Sequence, residues 1–254
     1  MKKHRIIFVG TPKFSVPSLK ALIEDGRFEV VAVITQPDMP AGRSLTLTPP
    51  PVKVLAQNYG LPIFQPTKIS QINDHIREFE IDALVVVAYA QIIPESTLSL
   101  PKYGAVNIHG SLLPKYRGAS VLQAPIINGD QDTGVTIMVM DRTLDTGPIL
   151  KQASYQLKAN ETADSLALIL SDLGAKTLPD ALAGYINGSI QPQAQNNDLA
   201  NYVGRMEKKD GIIDWNDSAK NIERFIRAMT SWPSGWTWIK GKQLKILEVD
   251  QTSI

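Results

Sequence analysis

The sequence predicts an α/β fold, with a mostly parallel sheet followed by a small β-domain. Over the first 155 residues, short β-rich runs alternate with segments of helical periodicity, as in a parallel sheet wrapped by helices. The Val-rich run at 83–88 is apolar on both faces and is therefore expected to be a central strand. All four tryptophans fall within residues 215–238, and this change of composition indicates a second folding unit.

The remaining elements follow from runs and periodicity. Further strands are predicted at 6–9, 30–34, 62–64, 105–108, 134–140 and, as an antiparallel edge, 149–156. Helices are predicted from apolar spacing at about 15–23, 52–59, 70–79, 121–127, from about 161 onward, and at 219–229. Ser15 is expected to cap the first helix, and Asn160 or Thr162 the long one, because their side chains accept bonds from free helical N–H groups.

A polar stretch at 191–198 (QPQAQNND) predicts a connector between two domains. We therefore expect a domain at 1–190, a linker at 191–203 and a second domain at 204–254. The chain closes with two strand-like runs, at 236–240 and 244–249. Because an isolated two-stranded hairpin is marginally stable, the second domain is expected to be truncated.

Composition excludes several classes of protein. The longest apolar run has eleven residues, short of the ~18 that a membrane helix needs, and the N-terminal apolar stretch is too short for a secretory signal. There are no cysteines and three scattered histidines, so disulfides, thiol nucleophiles and zinc sites are not expected. A net charge of +1 gives no global attraction to nucleic acid or membrane. We expect a soluble, cytoplasmic protein without a metal.

Asn107 lies in the predicted strand 105–108 and His109 directly follows it, at the strand end where ligands bind in open α/β sheets. They are two positions apart, so both side chains point to the same side. A second polar cluster at 141–147 (DRTLDTG) is either an ordinary turn or the source of a carboxylate that holds His109 protonated or in one tautomer. His4 is expected to be solvated and His75 to be a packed structural residue.

An amide, an imidazole and a carboxylate on neighbouring strand ends suit acyl transfer without a covalent enzyme intermediate. The amide donates to an oxyanion, the imidazole bonds to that oxygen or shuttles a proton, and the carboxylate sets the charge of the imidazole. This chemistry requires no serine or cysteine nucleophile.

The segment 107–119 (NIHGSLLPKYRGA) resembles the signature of 10-formyltetrahydrofolate-dependent formyltransferases, and 144–149 (LDTGPI) resembles their aspartate motif. The resemblance implies their fold, a Rossmann-like mostly parallel sheet followed by a C-terminal β-barrel domain, here partial. It assigns Asn107, His109 and Asp145 as the catalytic trio. It further implies cofactor contacts, with 10-formyltetrahydrofolate as co-substrate, from Val87, Ala88, Tyr89, Ser111, Leu112, Leu113 and Pro114.

Within the family, the chain is most similar to the members that formylate methionyl initiator tRNA. The motifs that carry this similarity are 10–12 (GTP), 35–38 (TQPD), 40–43 (PAGR), 51–53 (PVK), 60–62 (GLP), 65–66 (QP), 88–89 (AY) and 211–215 (GIIDW). The resemblance implies tRNA binding by Arg43 and a monomeric enzyme of translation initiation.

Two departures keep alternatives open. Residues 44–47 (SLTL) stand where the family often has lysines, and the second domain is expected to lack most of its barrel. The chain could instead formylate another amine, such as an amino sugar nucleotide, or hydrolyse 10-formyltetrahydrofolate. It could also be a folate-binding remnant without activity on tRNA.

Overall fold

The computed structural model describes residues 2–41 and 45–250. In chain order the strands are β1 (His4–Gly10), β2 (Phe28–Ile34), β3 (Met39–Ala41), β4 (Thr46–Thr48), β5 (Ile63–Phe64), β6 (Ala83–Val87), β7 (Ala105–His109), β8 (Arg117–Gly118), β9 (Asp132–Val139), β10 (Ile149–Gln156), β11 (Tyr202–Val203), β12 (Gly235–Ile239) and β13 (Lys242–Ile246). The helices are α1 (Val16–Glu24), α2 (Pro51–Asn58), α3 (Asn73–Glu78), α4 (Glu95–Leu98), α5 (Gln123–Asn128), α6 (Ala163–Ile186) and α7 (Ala219–Ala228).

Seven strands form the main sheet, in the order β10-β9-β7-β6-β1-β2-β5. The pairs β1–β2, β1–β6, β2–β5 and β6–β7 are parallel, which confirms the predicted mostly parallel sheet. β6 is the fourth of the seven strands and is buried along its whole length, as its unbroken apolar run predicted. β10 lies at the edge, also as expected.

β9 runs antiparallel to β7, and this has a direct consequence for the polar cluster that follows it. Thr136 pairs with His109, and Val139 pairs with Val106 near the start of β7. The end of β9 therefore lies at the opposite end of β7 from His109. The sequence argument assumed that polar residues after neighbouring strands meet at one edge, and that assumption is wrong for this pair.

Ser15 does not cap α1, contrary to expectation. Its hydroxyl donates to the carbonyl of Val87 at 2.6 Å instead, so it links the start of the helix to the end of β6. The neighbouring Gly10 is equally constrained, since a Cβ there would lie 2.8 Å from the same carbonyl. Thr162 is confirmed as a cap, because its Oγ1 accepts from the backbone N–H of Ser165 at 3.1 Å.

Two short β-pairs are absent from the sequence prediction. β3 and β4 form an antiparallel hairpin, and β8 pairs with β11 in parallel. The three residues of β4 are all exposed and the other strands have two or three residues, so none shows the alternation of a half-buried strand.

The chain divides into two compact units that are each discontinuous in sequence. The first comprises Met1–His109, Val135–Ala153 and Ser171–Gln195. Its segments are joined by polar contacts over long sequence separations. The Ser171 hydroxyl on α6 donates to the carbonyl of Phe14 at 2.7 Å, and Asp180 accepts from Arg27 at 3.0 Å.

The second unit comprises Gly110–Gly134, Ser154–Leu170 and Asn196–Ile254. It contains the β8–β11 pair, α5, α7 and the hairpin β12–β13. The domain boundaries 1–190, 191–203 and 204–254 stay a prediction. Among the described residues, no helix is both long and apolar enough to cross a membrane.

Candidate active site

The candidate site is built on the last residues of β7. Asn107 and His109 alternate with Ile108 and therefore project from the same face of the sheet. His109 is the last residue of the strand, and only 5% of it is exposed. Asn107 pairs with Val86 on the neighbouring strand β6. Residues 87–89 therefore leave β6 just beyond the level of Asn107.

The loop that joins β9 to β10 closes on itself. The backbone N–H of Val139 donates to the carbonyl of Pro148 at 2.9 Å, so the chain leaves and re-enters the sheet at one place. A Cβ on Gly147 would lie 1.8 Å from the Val139 carbonyl, and only glycine fits there. Asp141 shapes the interior of the loop, because its carboxylate accepts from the hydroxyls of Thr143 and Thr146 at 3.0 and 2.8 Å.

This folded loop carries Asp145 back along the sheet to the imidazole. Oδ1 of Asp145 lies 3.5 Å from Nδ1 of His109, and the two side chains are 11% and 6% exposed. A carboxylate at this nitrogen favours the tautomer with the proton on Nδ1. Nε2 is then the nitrogen that can accept a proton from a reacting group. The structure thus brings two of the three predicted catalytic residues together, and it distinguishes Asp145 from the loop-shaping Asp141.

Asp145 has a left-handed backbone, with φ of 57°. A non-glycine residue holds this conformation only where its surroundings fix it. The side chain of Gln195 supplies part of that constraint. Its Nε2 donates to the carbonyl of Asp145 at 2.9 Å and to that of Gly147 at 2.7 Å. The sequence analysis assigned Gln195 only to a polar connector and missed this contact.

The segment after β6 alternates exposed and buried residues. Ala88 and Ala90 are exposed and have positive φ angles of 47° and 64°, whereas Tyr89 between them is 2% exposed. Burial raises the pKa of the Tyr89 phenol to about 12, so it is neutral at physiological pH. The Tyr89 carbonyl accepts from Nε2 of Gln36 at 3.0 Å. The buried ring therefore anchors a segment whose neighbouring residues, Ala88 and Ala90, face solvent.

The residues Ser111–Pro114 follow His109 in the chain and belong to the second unit. Ser111 is fully buried, and its hydroxyl donates to the carbonyl of Lys115 at 2.6 Å, which closes a tight turn. Leu113 is also buried. Their contacts with a cofactor stay a prediction, as do those of Val87, Ala88 and Tyr89. Arg43 lies outside the described residues.

A cavity of about 490 Å³ lies beside the loop that carries Asp145. Its walls come from two elements, and it is lined by Glu95, Leu98, Ser99, Met140, Asp141, Arg142 and Thr143. Its volume falls within the range of small-molecule sites, roughly 300–1,000 Å³. The sequence analysis named none of these residues as ligand contacts, because α4 is a single helical turn without a motif.

The other histidines do not join the site. His75 is 57% exposed in its side chain and stacks on Phe64 with ring centroids 5.4 Å apart, so it is an exposed residue and not the packed structural histidine that was predicted. His4 lies 3.8 Å from the Asp82 carboxylate. Over residues 2–41 and 45–250 there is no cluster of three His, Asp or Glu residues that could hold a metal ion.

A buried imidazole with a carboxylate at one nitrogen and an amide on the same sheet face can stabilise an oxyanion and move a proton. Together with the mostly parallel sheet, this defines an α/β enzyme of the acyl-transfer class.

Comparison with known proteins narrows the class of enzyme to one family. The family described as "Formyl transferase" matches residues 3–182, and "Formyl transferase, C-terminal domain" matches residues 205–253. The chain belongs to the formyltransferase family, and it is a formyl-transferring enzyme.

Named relatives cover the whole chain. A methionyl-tRNA formyltransferase of Citrifermentans bemidjiense is 45% identical over 255 residues, covering 100% of this chain and 80% of the relative. A methionyl-tRNA formyltransferase of Lachnospira eligens is 45% identical and covers 97% and 78%. Among solved structures, a 4-N formyltransferase from Francisella tularensis has a TM-score of 0.76 at 18% identity, covering 98% of this chain and 99% of that one. At this identity the likeness concerns the fold alone.

Proposed function

We propose that the protein transfers the formyl group of 10-formyltetrahydrofolate to the α-amine of methionine on initiator tRNA. The observation that carries the proposal is the buried His109–Asp145 pair beside Asn107, at 3.5 Å between Nδ1 and Oδ1. The relatives at 44–45% identity over nearly the full chain are methionyl-tRNA formyltransferases, which supports this acceptor over other amines.

In the proposed reaction, the amine nitrogen attacks the formyl carbon and a tetrahedral oxyanion forms. Nε2 of His109 takes the proton that the attacking amine loses, and the Asn107 amide and the resulting Nε2–H donate to this oxyanion as the charge develops. Asp145 holds the proton on Nδ1 and stabilises the imidazolium. The bond from carbon to N10 then breaks, and His109 passes this proton from Nε2 to N10, which leaves as tetrahydrofolate. No bond forms between enzyme and formyl group.

The folate is proposed to contact residues 87–89 and the cavity beside the catalytic loop, which both belong to the first unit. The cavity offers both apolar wall, from Leu98 and Met140, and polar groups from Asp141 and Thr143. A flat heteroaromatic ring needs this combination, because its faces are apolar and its edge requires hydrogen-bond partners. The reaction as written needs no metal.

Initiator tRNA is proposed to bind through Arg43 and through the C-terminal domain that the second family match covers. An arginine pairs with phosphates by charge-assisted hydrogen bonds. We further propose that the enzyme acts as a monomer in the cytoplasm, where translation initiates.

The deciding experiment incubates the purified protein with 10-formyltetrahydrofolate and, in separate tubes, methionyl initiator tRNA, a dTDP-amino sugar or buffer alone. Formyl-methionyl-tRNA as the main product supports the proposal. An amino sugar is the second candidate acceptor, because a sugar 3N-formyl transferase shares the fold at a TM-score of 0.73. Formylation of the sugar alone, or hydrolysis in every tube, would reject tRNA as the acceptor. No turnover in any tube would favour a folate-binding remnant.

Filling the cavity tests where the folate binds. Ser99 lines it at the end of α4 and is exposed, so Ser99→Trp is expected to fold normally and place an indole in the cavity. We expect the KM for 10-formyltetrahydrofolate to rise about tenfold or more, on the order of 1.4 kcal/mol of lost binding, with the KM for methionyl-tRNA unchanged. The matched control is Ser96→Trp, on the same helix but outside the cavity lining. Equal KM values for both variants would place the folate elsewhere.

A further inference from the structure

The residue that fixes the backbone of the catalytic loop comes from the far end of the first unit. Gln195 lies nine residues beyond the end of α6 at Ile186, in a stretch with the composition of a linker. The backbone around it is nevertheless pinned to the sheet. Gln193 exchanges both backbone hydrogen bonds with Ile149, the first residue of β10, at 2.7 and 2.8 Å. The connector is therefore an ordered part of this unit up to Gln195.

The amide of Gln195 bonds to two carbonyls on either side of a turn. Nε2 donates to Asp145 O at 2.9 Å and to Gly147 O at 2.7 Å, so one side chain bridges the residue that faces His109 and the residue that closes the loop. At Asp145 the backbone has a φ of 57°, a left-handed conformation that residues with a Cβ rarely adopt. Rotation of that peptide out of the left-handed region would swing the carboxylate away from Nδ1 of His109.

The other contacts described for the loop organise different parts of it. Asp141 accepts from Thr143 and Thr146, which organises the first part of the loop. The Val139–Pro148 bond closes its base. The carbonyls of Asp145 and Gly147, on either side of Thr146, both accept from the Gln195 amide of the connector.

We propose that Gln195 is a positioning residue for the reaction: its amide holds the Asp145 backbone so that the carboxylate stays against His109. This inference rests on the proposed catalytic role of Asp145. Gln195 acts on turnover through Asp145 and takes no part in binding either substrate.

The test compares Gln195→Met with Gln193→Met. Methionine keeps the length of the side chain but removes the amide donor. Gln193 is the matched control, because the contacts described for it use its backbone alone and persist in the variant. For Gln195→Met we expect kcat to fall about tenfold to a hundredfold, the range for an ångström-scale displacement of a catalytic group. Both KM values should stay within about twofold, and Gln193→Met should match the wild type in kcat and KM.

A second arm separates positioning from a structural effect. In the double variant Gln195→Met/Asp145→Asn, kcat should equal that of Asp145→Asn alone, because a residue that acts through Asp145 has no effect once the carboxylate is gone. Additive losses, a raised KM, or full activity of Gln195→Met while Asp145→Asn is impaired would each overturn the proposal. If Asp145→Asn itself retains full activity, the failure lies in the catalytic assignment of Asp145.

Discussion

Replacing His109 by alanine is expected to lower kcat for formyl transfer about a thousandfold or more. Proton transfer by a positioned side chain contributes roughly 10²–10⁴-fold, and the same imidazole is proposed to donate to the oxyanion. Asn107→Ala is expected to lose about 10²–10³-fold, the range for one oxyanion donor. Single-turnover rates with saturating methionyl-tRNA and 10-formyltetrahydrofolate measure both effects.

The control for this prediction is His75→Ala. His75 has the same chemistry but is exposed on α3 and stacks on Phe64, so its replacement should leave kcat within about twofold of the wild type. Thermal unfolding establishes that each variant is folded. A His109→Ala protein that is folded and retains more than about a tenth of the wild-type rate would contradict the acid–base role assigned to this residue.

A second large effect is expected for Asp145→Asn, with kcat lowered about a hundredfold or more. The substitution keeps the shape of the side chain but replaces the carboxylate that lies 3.5 Å from Nδ1 of His109, so the favourable charge on the imidazolium is lost. Since Asp145 makes no proposed contact with folate or tRNA, both KM values should change little. The rate is best followed across pH 6–9 in the variant and the wild type.

Asp141→Asn is the paired comparison, four residues earlier in the same loop. Its carboxylate holds Thr143 and Thr146, and an asparagine oxygen can still accept one of these bonds. A loss of less than about tenfold in kcat is therefore expected. If the two variants lose activity equally, the loop is sensitive to any change and the special role of Asp145 is refuted.

The central sheet was predictable because its signal is local and strong. The unbroken apolar run that became β6 requires burial on both faces, and the neighbouring strands end at turn residues. The direction of β9 was not predictable, since an apolar strand carries no information on whether its neighbour runs parallel or antiparallel. Ser15 illustrates the same limit of prediction from local sequence. A serine before a helix fits a capping role, but the Ser15 hydroxyl donates its hydrogen bond to a carbonyl 72 residues away.

For the candidate site, the motif around Asn107 and His109 identified the residues, and the LDTG motif identified Asp145. The strand pattern did not predict why Asp145 and His109 lie close together. The loop has to fold back along β7, which depends on Asp141, on the absence of a Cβ at Gly147, and on Gln195. A glutamine in a polar connector is expected to face solvent. The neighbouring sequence does not indicate that its side chain donates to carbonyls about 50 residues earlier.

The discontinuous first unit sets the order of events while the polypeptide is being made. The Phe14 carbonyl accepts a hydrogen bond from the Ser171 hydroxyl, 157 residues later in the chain. Arg27 donates to the Asp180 carboxylate, 153 residues later. Strands β1, β2 and β6 are synthesised well before α6, whose residues make these two contacts. The first unit can therefore be completed only after about residue 195 has emerged from the ribosome, and until then its earlier segments lack part of their native contacts.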